Sequence, residues 1–237
     1  MTASLARVLG LCALGAILLA GGAAIADDRQ DCLVLSFGPL DKTIPACDRL
    51  IASGKLDERA LFDALMARAR AFDWAQTYSF GHEVDPKVLR RSELADLDRA
   101  VGIARRLRLR DKSDEALRLA LSARASVEAQ LGRGERAVGD YSEAIGLAER
   151  PALLDLFGRS LAYERLGRLE PAIADMSTIL RLFADDSNHA SHFVRRAELY
   201  EAAGSTAVAI QDYRRAVALQ PDHGAARKAL KRLEADR

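Results

Sequence analysis

From about residue 118 to the C-terminus, apolar positions recur at helical spacing in paired segments, each pair joined by a short polar turn that carries a glycine. The clearest pair spans 190–223. It has small residues at Ala197, Ala209 and Ala216, tyrosines at Tyr200 and Tyr213, a turn at Gly204 and a stop at Pro221. Small side chains allow two helices to cross closely, and the aromatic rings fill the wedge beside the crossing. Glycine suits the left-handed backbone that ends the first helix, and proline halts the second.

The same spacing recurs over 153–186, with Ser160, Tyr163, Gly167, Ala172, Met176 and Ile179 in the matching slots and Ala184 in place of the final proline. It recurs over 118–151 with Ala125, Gly132, Ala137, Tyr141 and Ala144, so the three turn glycines lie 35 and 37 residues apart. The extra residues fit the 185–189 loop. This self-similarity resembles the tetratricopeptide repeat. The resemblance implies an all-α fold: a right-handed superhelical solenoid of antiparallel helix pairs. It ends in a capping helix over 224–237 that puts Ala225, Ala229, Leu230 and Leu233 on one stripe.

Earlier in the chain the pattern weakens. Residues 67–72 look like the core of a first helix and 96–101 like that of a second. Residues 62–105 then form a divergent repeat with an insertion at 76–90 that contains Tyr78, His82 and Glu83. Residues 44–51 align with 138–145, placing Cys47 in the slot of Tyr141, and 27–61 read as an N-terminal cap. The order of Cys32, Cys47 and then repeats is similar to exported bacterial repeat proteins, common in alphaproteobacteria, that open with a two-cysteine helical cap.

Residues 1–26 read as a cleavable signal peptide: Arg7, an apolar run over 8–20, then small residues up to Ala26, where cleavage is expected. The run is shorter than the roughly 20 residues a spanning helix needs, so no stable membrane anchor is expected after cleavage. Leu11 before Cys12 departs from the lipoprotein pattern. Export is therefore expected to leave the chain periplasmic or secreted, with two cysteines in an oxidising compartment. A Cys32–Cys47 disulfide is the simplest account; a pair of buried free thiols is the other, and neither cysteine has a second ligand at metal-finger spacing.

Arg7 is the one charged side chain in 1–26, so the rest balances 34 basic against 34 acidic residues. That balance argues against a nucleic-acid partner, and the basic run 105–112 reads as a solvated helix face. No P-loop, GxSxG or HExxH motif occurs. Gly132-Arg133-Gly134 follows a helix and reads as a repeat turn, not a phosphate cradle. His189 and His192, with His223 or Asp185, are weighed as metal ligands and set aside as polar side chains of an inter-repeat loop and helix start. No cofactor, metal or catalytic residue is expected.

By the resemblance, first-helix residues facing away from the second helix line an inner groove for a protein or peptide. These are Met66, Arg70, Asp73 and Trp74 in the divergent repeat, then Ser122, Ser126 and Gln130. Phe157, Leu161, Glu164 and Arg165 follow in the next repeat, and Val194, Glu198 and Glu201 in the last. The basic carboxylate clamp of some family members is not reproduced at these slots. A non-catalytic envelope adaptor is the leading expectation. The alternatives are an enzyme with its site in the 76–90 insertion and a self-associating structural solenoid.

Overall fold

The computed structural model describes residues 27–33, 40–78, 86–184 and 188–235, all of it helix, turn or loop with no strand among those residues. The expected signal peptide, residues 79–85 of the expected insertion with His82 and Glu83, and residues 185–187 of the loop before the last repeat lie outside them. Two compact units divide the chain after Ser113.

The first unit comprises α1 (27–33), α2 (Leu40–Ala52), α3 (Glu58–Tyr78) and α4 (Pro86–Asp111). Residues 76–78 and 86–90, expected in an insertion, instead extend two helices of 21 and 26 residues. Pro86 opens α4 in the first turn, where the N–H groups have no partner within the helix and a missing one costs little. Asp57 caps α3 by accepting the Ala60 N–H at 2.7 Å. The core joins Cys32, Ala46, Cys47, Leu50, Ala64 and Ala67. A Cys32–Cys47 disulfide with Cα atoms 4.8 Å apart ties α1 to α2. Arg49 of α2 adds a hydrogen bond to Asp28 of α1 at 2.6 Å.

The second unit stacks three antiparallel pairs and a final helix: α5 (Glu115–Gln130) with α6 (Gly134–Gly146), α7 (Leu153–Arg165) with α8 (Leu169–Leu182), α9 (His189–Ala202) with α10 (Thr206–Leu219), then α11 (Gly224–Ala235). Gly132, Gly167 and Gly204 take φ of 77°, 72° and 76°. In each turn the amide three residues past the helix reaches back to close it: Arg133 to the Glu128 carbonyl at 2.8 Å, Arg168 to Tyr163 at 2.9 Å and Ser205 to Tyr200 at 2.8 Å. A Cβ at these glycines would meet nothing within 4 Å, so backbone conformation and not crowding selects them.

Ala125, Ala137, Ala144, Ala172, Ala197, Ala209 and Ala216 are all fully buried at the crossings. Ser160 takes an alanine slot, and its hydroxyl donates to the Ala172 carbonyl at 3.0 Å, which removes the cost of burying it. On α11 the buried stripe is Ala226 and Leu233 with Ala229 and Leu230 packed beside them, whereas Ala225 is exposed. The expected stripe is thus corrected by one residue: 226, 229, 230 and 233 follow the i, i+3, i+4, i+7 spacing of one helical face, and 225 does not.

Candidate groove on the first helices of the repeats

The first helices of the second and third pairs, α7 and α9, border a groove of about 410 Å³. Its α7 side is Leu153, Leu154 and Phe157; its α9 side is Val194, Arg195 and Glu198, with Asn188, Ser191 and His192 at the helix start. Leu154 is 76% exposed. Of the expected groove residues, Phe157, Val194 and Glu198 come together here. Leu153, Leu154, Ser191 and Arg195 were not foreseen: Arg195 lies one position past the expected slot at 194, and the other three lie about one helical turn before the slots at 157 and 194.

Several of the other expected residues already hold the repeats together. Arg195 bridges Glu164 of α7 and Glu198 of its own helix, the latter at 3.0 Å. Arg232 of α11 holds Glu201 at 2.8 Å, and Arg165 donates to the Ala129 carbonyl at 3.0 Å. On α5, Ser122 donates to the Arg118 carbonyl at 2.9 Å, and Gln130 donates to Ser126 at 3.3 Å. Leu161 is half-buried. In the first unit Arg70 and Asp73 are exposed, Trp74 is half-buried and Met66, like Val194, is buried.

An ion pair recurs within the repeats. Arg124, Arg159 and Arg196 each grip an aspartate 16 residues later with two hydrogen bonds: Asp140 at 2.7 and 2.8 Å, Asp175 at 2.9 and 2.6 Å, Asp212 at 2.8 and 2.8 Å. Each arginine comes from a first helix and each aspartate from its paired second helix. Arg159 and Arg196 also donate at 3.0 Å to Ser142 and Ser177 on the preceding second helix, so one guanidinium fixes three helices. Arg68 of the first unit grips Asp96 of α4 the same way at 2.7 and 2.5 Å and reaches Asp48 of α2. The carboxylate hydrogen bonds push the Arg68, Arg159 and Arg196 guanidinium groups further above their ordinary value.

Two other titratable groups respond to their surroundings. Asp155, in the first turn of α7, is buried, and burial raises its carboxyl above the usual range against the opposing hydrogen bond from Ser122. Its Oδ2 makes no hydrogen bond. Burial, then the charges of Glu201 and Glu198, push the Tyr213 hydroxyl up to about 12. The candidate histidines are dispersed: His189 meets Phe193 edge-on at 5.1 Å, while His223 lies 3.3 Å from Ser191 and accepts the Ala226 N–H at 3.4 Å. Among the described residues no group of three or more His, Cys, Asp or Glu side chains could hold a metal ion.

Helix pairs with a left-handed glycine turn, small residues at the crossing and an inner groove invite comparison with known repeats. Residues 193–223 match the tetratricopeptide repeat family. Solved structures carry the likeness over most of the chain. MamA protein is similar at 14% identity, over 83% of this chain and 91% of that one, with a TM-score of 0.62. A Podosopora anserina putative kinesin light chain with nearly identical TPR-like repeats is similar at 14% identity, over 84% and 96%, with a TM-score of 0.62. BtubC (BKLC) from P. vanneervenii is similar at 17% identity, over 83% and 87%, with a TM-score of 0.53. At these identities the likeness establishes the fold: all-helical, built like a tetratricopeptide-repeat solenoid. A search of curated proteins returns no match.

Proposed function

We propose that the chain is a non-catalytic adaptor of the bacterial envelope that binds a polypeptide on the first helices of its repeats. The observation that carries this reading is the open groove between α7 and α9, where Leu154 and Phe157 lie opposite Val194. Apolar side chains left in an open cleft and rimmed by charge are how a scaffold offers anchoring sites to a partner. The best-oriented buried ionic groups of the repeats, the arginine–aspartate pairs, are engaged with one another and hold helices in place.

Export rests on the sequence of residues 1–26, and the Cys32–Cys47 disulfide is in keeping with an oxidising compartment. Fractionation of cells followed by N-terminal sequencing tests it: mature protein beginning at Asp27 in the envelope fraction supports export, and full-length protein in the cytoplasm refutes it. Binding is tested by photo-crosslinking in cells, with a photoreactive residue at position 154 in the groove or at position 208, an exposed site on α10. A polypeptide adduct at 154 that is absent at 208 supports the reading. Equal labelling at both, or none at 154, contradicts it.

A further inference from the structure

The groove between α7 and α9 is not uniform along its helices. Toward the N-terminal ends its α7 side is apolar, with Leu153, the exposed Leu154 and Phe157, while Asn188, Ser191 and His192 line the start of α9. The equivalent of Leu154 one repeat earlier is Leu119, also an exposed leucine, so the apolar edge continues onto α5. Toward the C-terminal ends the edge turns acidic. Glu164, Glu198 and Glu201 gather there against Arg195 and Arg232, while Arg165 is held toward α5 by the Ala129 carbonyl. Three carboxylates thus meet two guanidinium groups. Glu198 keeps 46% of its side chain exposed and Glu164 keeps 32%, so both carboxylates stay within reach of a third cation.

We infer that the occupant of this groove is a polypeptide segment that seats an aliphatic or aromatic side chain against Phe157 and Val194 and places a lysine or arginine on Glu198. This inference rests on the groove being the binding surface, and it adds the chemistry of the partner. Spacing supports it: Val194 and Glu198 are one helical turn apart, about 6 Å along the axis at 1.5 Å per residue. In an extended segment, side chains two residues apart lie about 6.6 Å apart on the same side, which spans that turn. An acidic segment would instead bring its charge against Glu164 and Glu198, and like-charge contact is the strong discriminator at such a rim. The negative character of this end is felt beneath the groove as well, since Glu201 and Glu198 both help to raise the Tyr213 hydroxyl.

The test uses the full mature chain and three short fluorescent peptides that share one extended sequence with a leucine anchor. They differ only in carrying arginine, glutamine or glutamate two residues after that leucine, and binding is followed by anisotropy. The arginine peptide is expected to bind about tenfold more tightly than the glutamine peptide at low salt, and the glutamate peptide more weakly than either. Glu198→Gln is expected to erase most of the preference for the arginine peptide over the glutamine peptide, and Phe157→Ala to weaken all three. Circular dichroism confirms that both variants fold.

If all three peptides bind with equal affinity and all depend on Phe157, the charge inference is overturned and the groove reading stands. If Phe157→Ala changes none of them, or none binds, the groove reading falls and the inference falls with it. Tightest binding of the glutamate peptide overturns the inference directly.

Discussion

Asp175→Ala removes the acceptor from the central arginine clamp and leaves the Arg159 guanidinium with one neutral partner, Ser142, at 3.0 Å. The Arg159 and Asp175 side chains are 18% and 7% exposed, so water replaces the lost carboxylate only in part. Stranding one member of a fully buried pair costs about 3–5 kcal/mol. The remaining exposure of Arg159 and its bond to Ser142 reduce that to about 2–3 kcal/mol. Replacing both groups with apolar side chains, Arg159→Met with Asp175→Leu, removes the stranded charge and is expected to cost no more than about 1 kcal/mol. The assay is urea denaturation followed by circular dichroism, with amide exchange on α7 and α8 to localise the loss, because repeat arrays need not unfold in one step. Single variants that cost under about 0.5 kcal/mol, or a double variant as unstable as Asp175→Ala, would refute the claim that these pairs lock the stack.

Three further outcomes follow from local geometry. Cys32→Ser with Cys47→Ser opens a covalent link across a separation of 15 residues and is expected to cost about 3 kcal/mol in the chain-entropy picture, read as a lower urea midpoint for the first unit. Gly158→Ala would place a Cβ 2.4 Å from the Tyr141 hydroxyl; the ring must shift, costing about 1–3 kcal/mol, read from the same denaturation curve. Asp155 has a raised carboxyl pKa in the fold, so its charge opposes folding at neutral pH, and that penalty disappears as pH falls through the folded value. Asp155→Asn, with an amide that can donate to Ser122, should raise Tm at neutral pH, with the gain shrinking on acidification; a gain independent of pH would contradict the assignment.

What the sequence revealed follows from which signals are local. The turn glycines and the small crossing residues were readable because backbone conformation and close approach each demand one residue type at one offset, and three copies confirm the offset. The register of α11 slipped by one because Ala225 and Ala226 are chemically equal and only packing separates them. The lengths of α3 and α4 were missed because residues 76–90 carry Gly81 and Pro86, which read as breakers although Pro86 starts a helix. Met66 was placed in the groove by analogy with the repeats, and its burial comes from packing that no local pattern marks. The arginine–aspartate pairs were overlooked because long-range pairs leave no periodic trace within a helix. Their constant spacing of 16 in three successive units was nevertheless visible, and recurrence at a fixed offset is the signal that would have found them.

The central claim is that the α7–α9 groove anchors a polypeptide through apolar contact. Its most direct test is a calorimetric titration of the full mature chain with the polypeptide identified by crosslinking at position 154, comparing wild type with Leu154→Ala and Phe157→Ala. Truncating an anchoring side chain at such a surface costs about 1–3 kcal/mol, so each variant is predicted to weaken binding by about five- to a hundredfold with the fold intact. Unchanged affinity in both variants, with helicity preserved, would contradict the account.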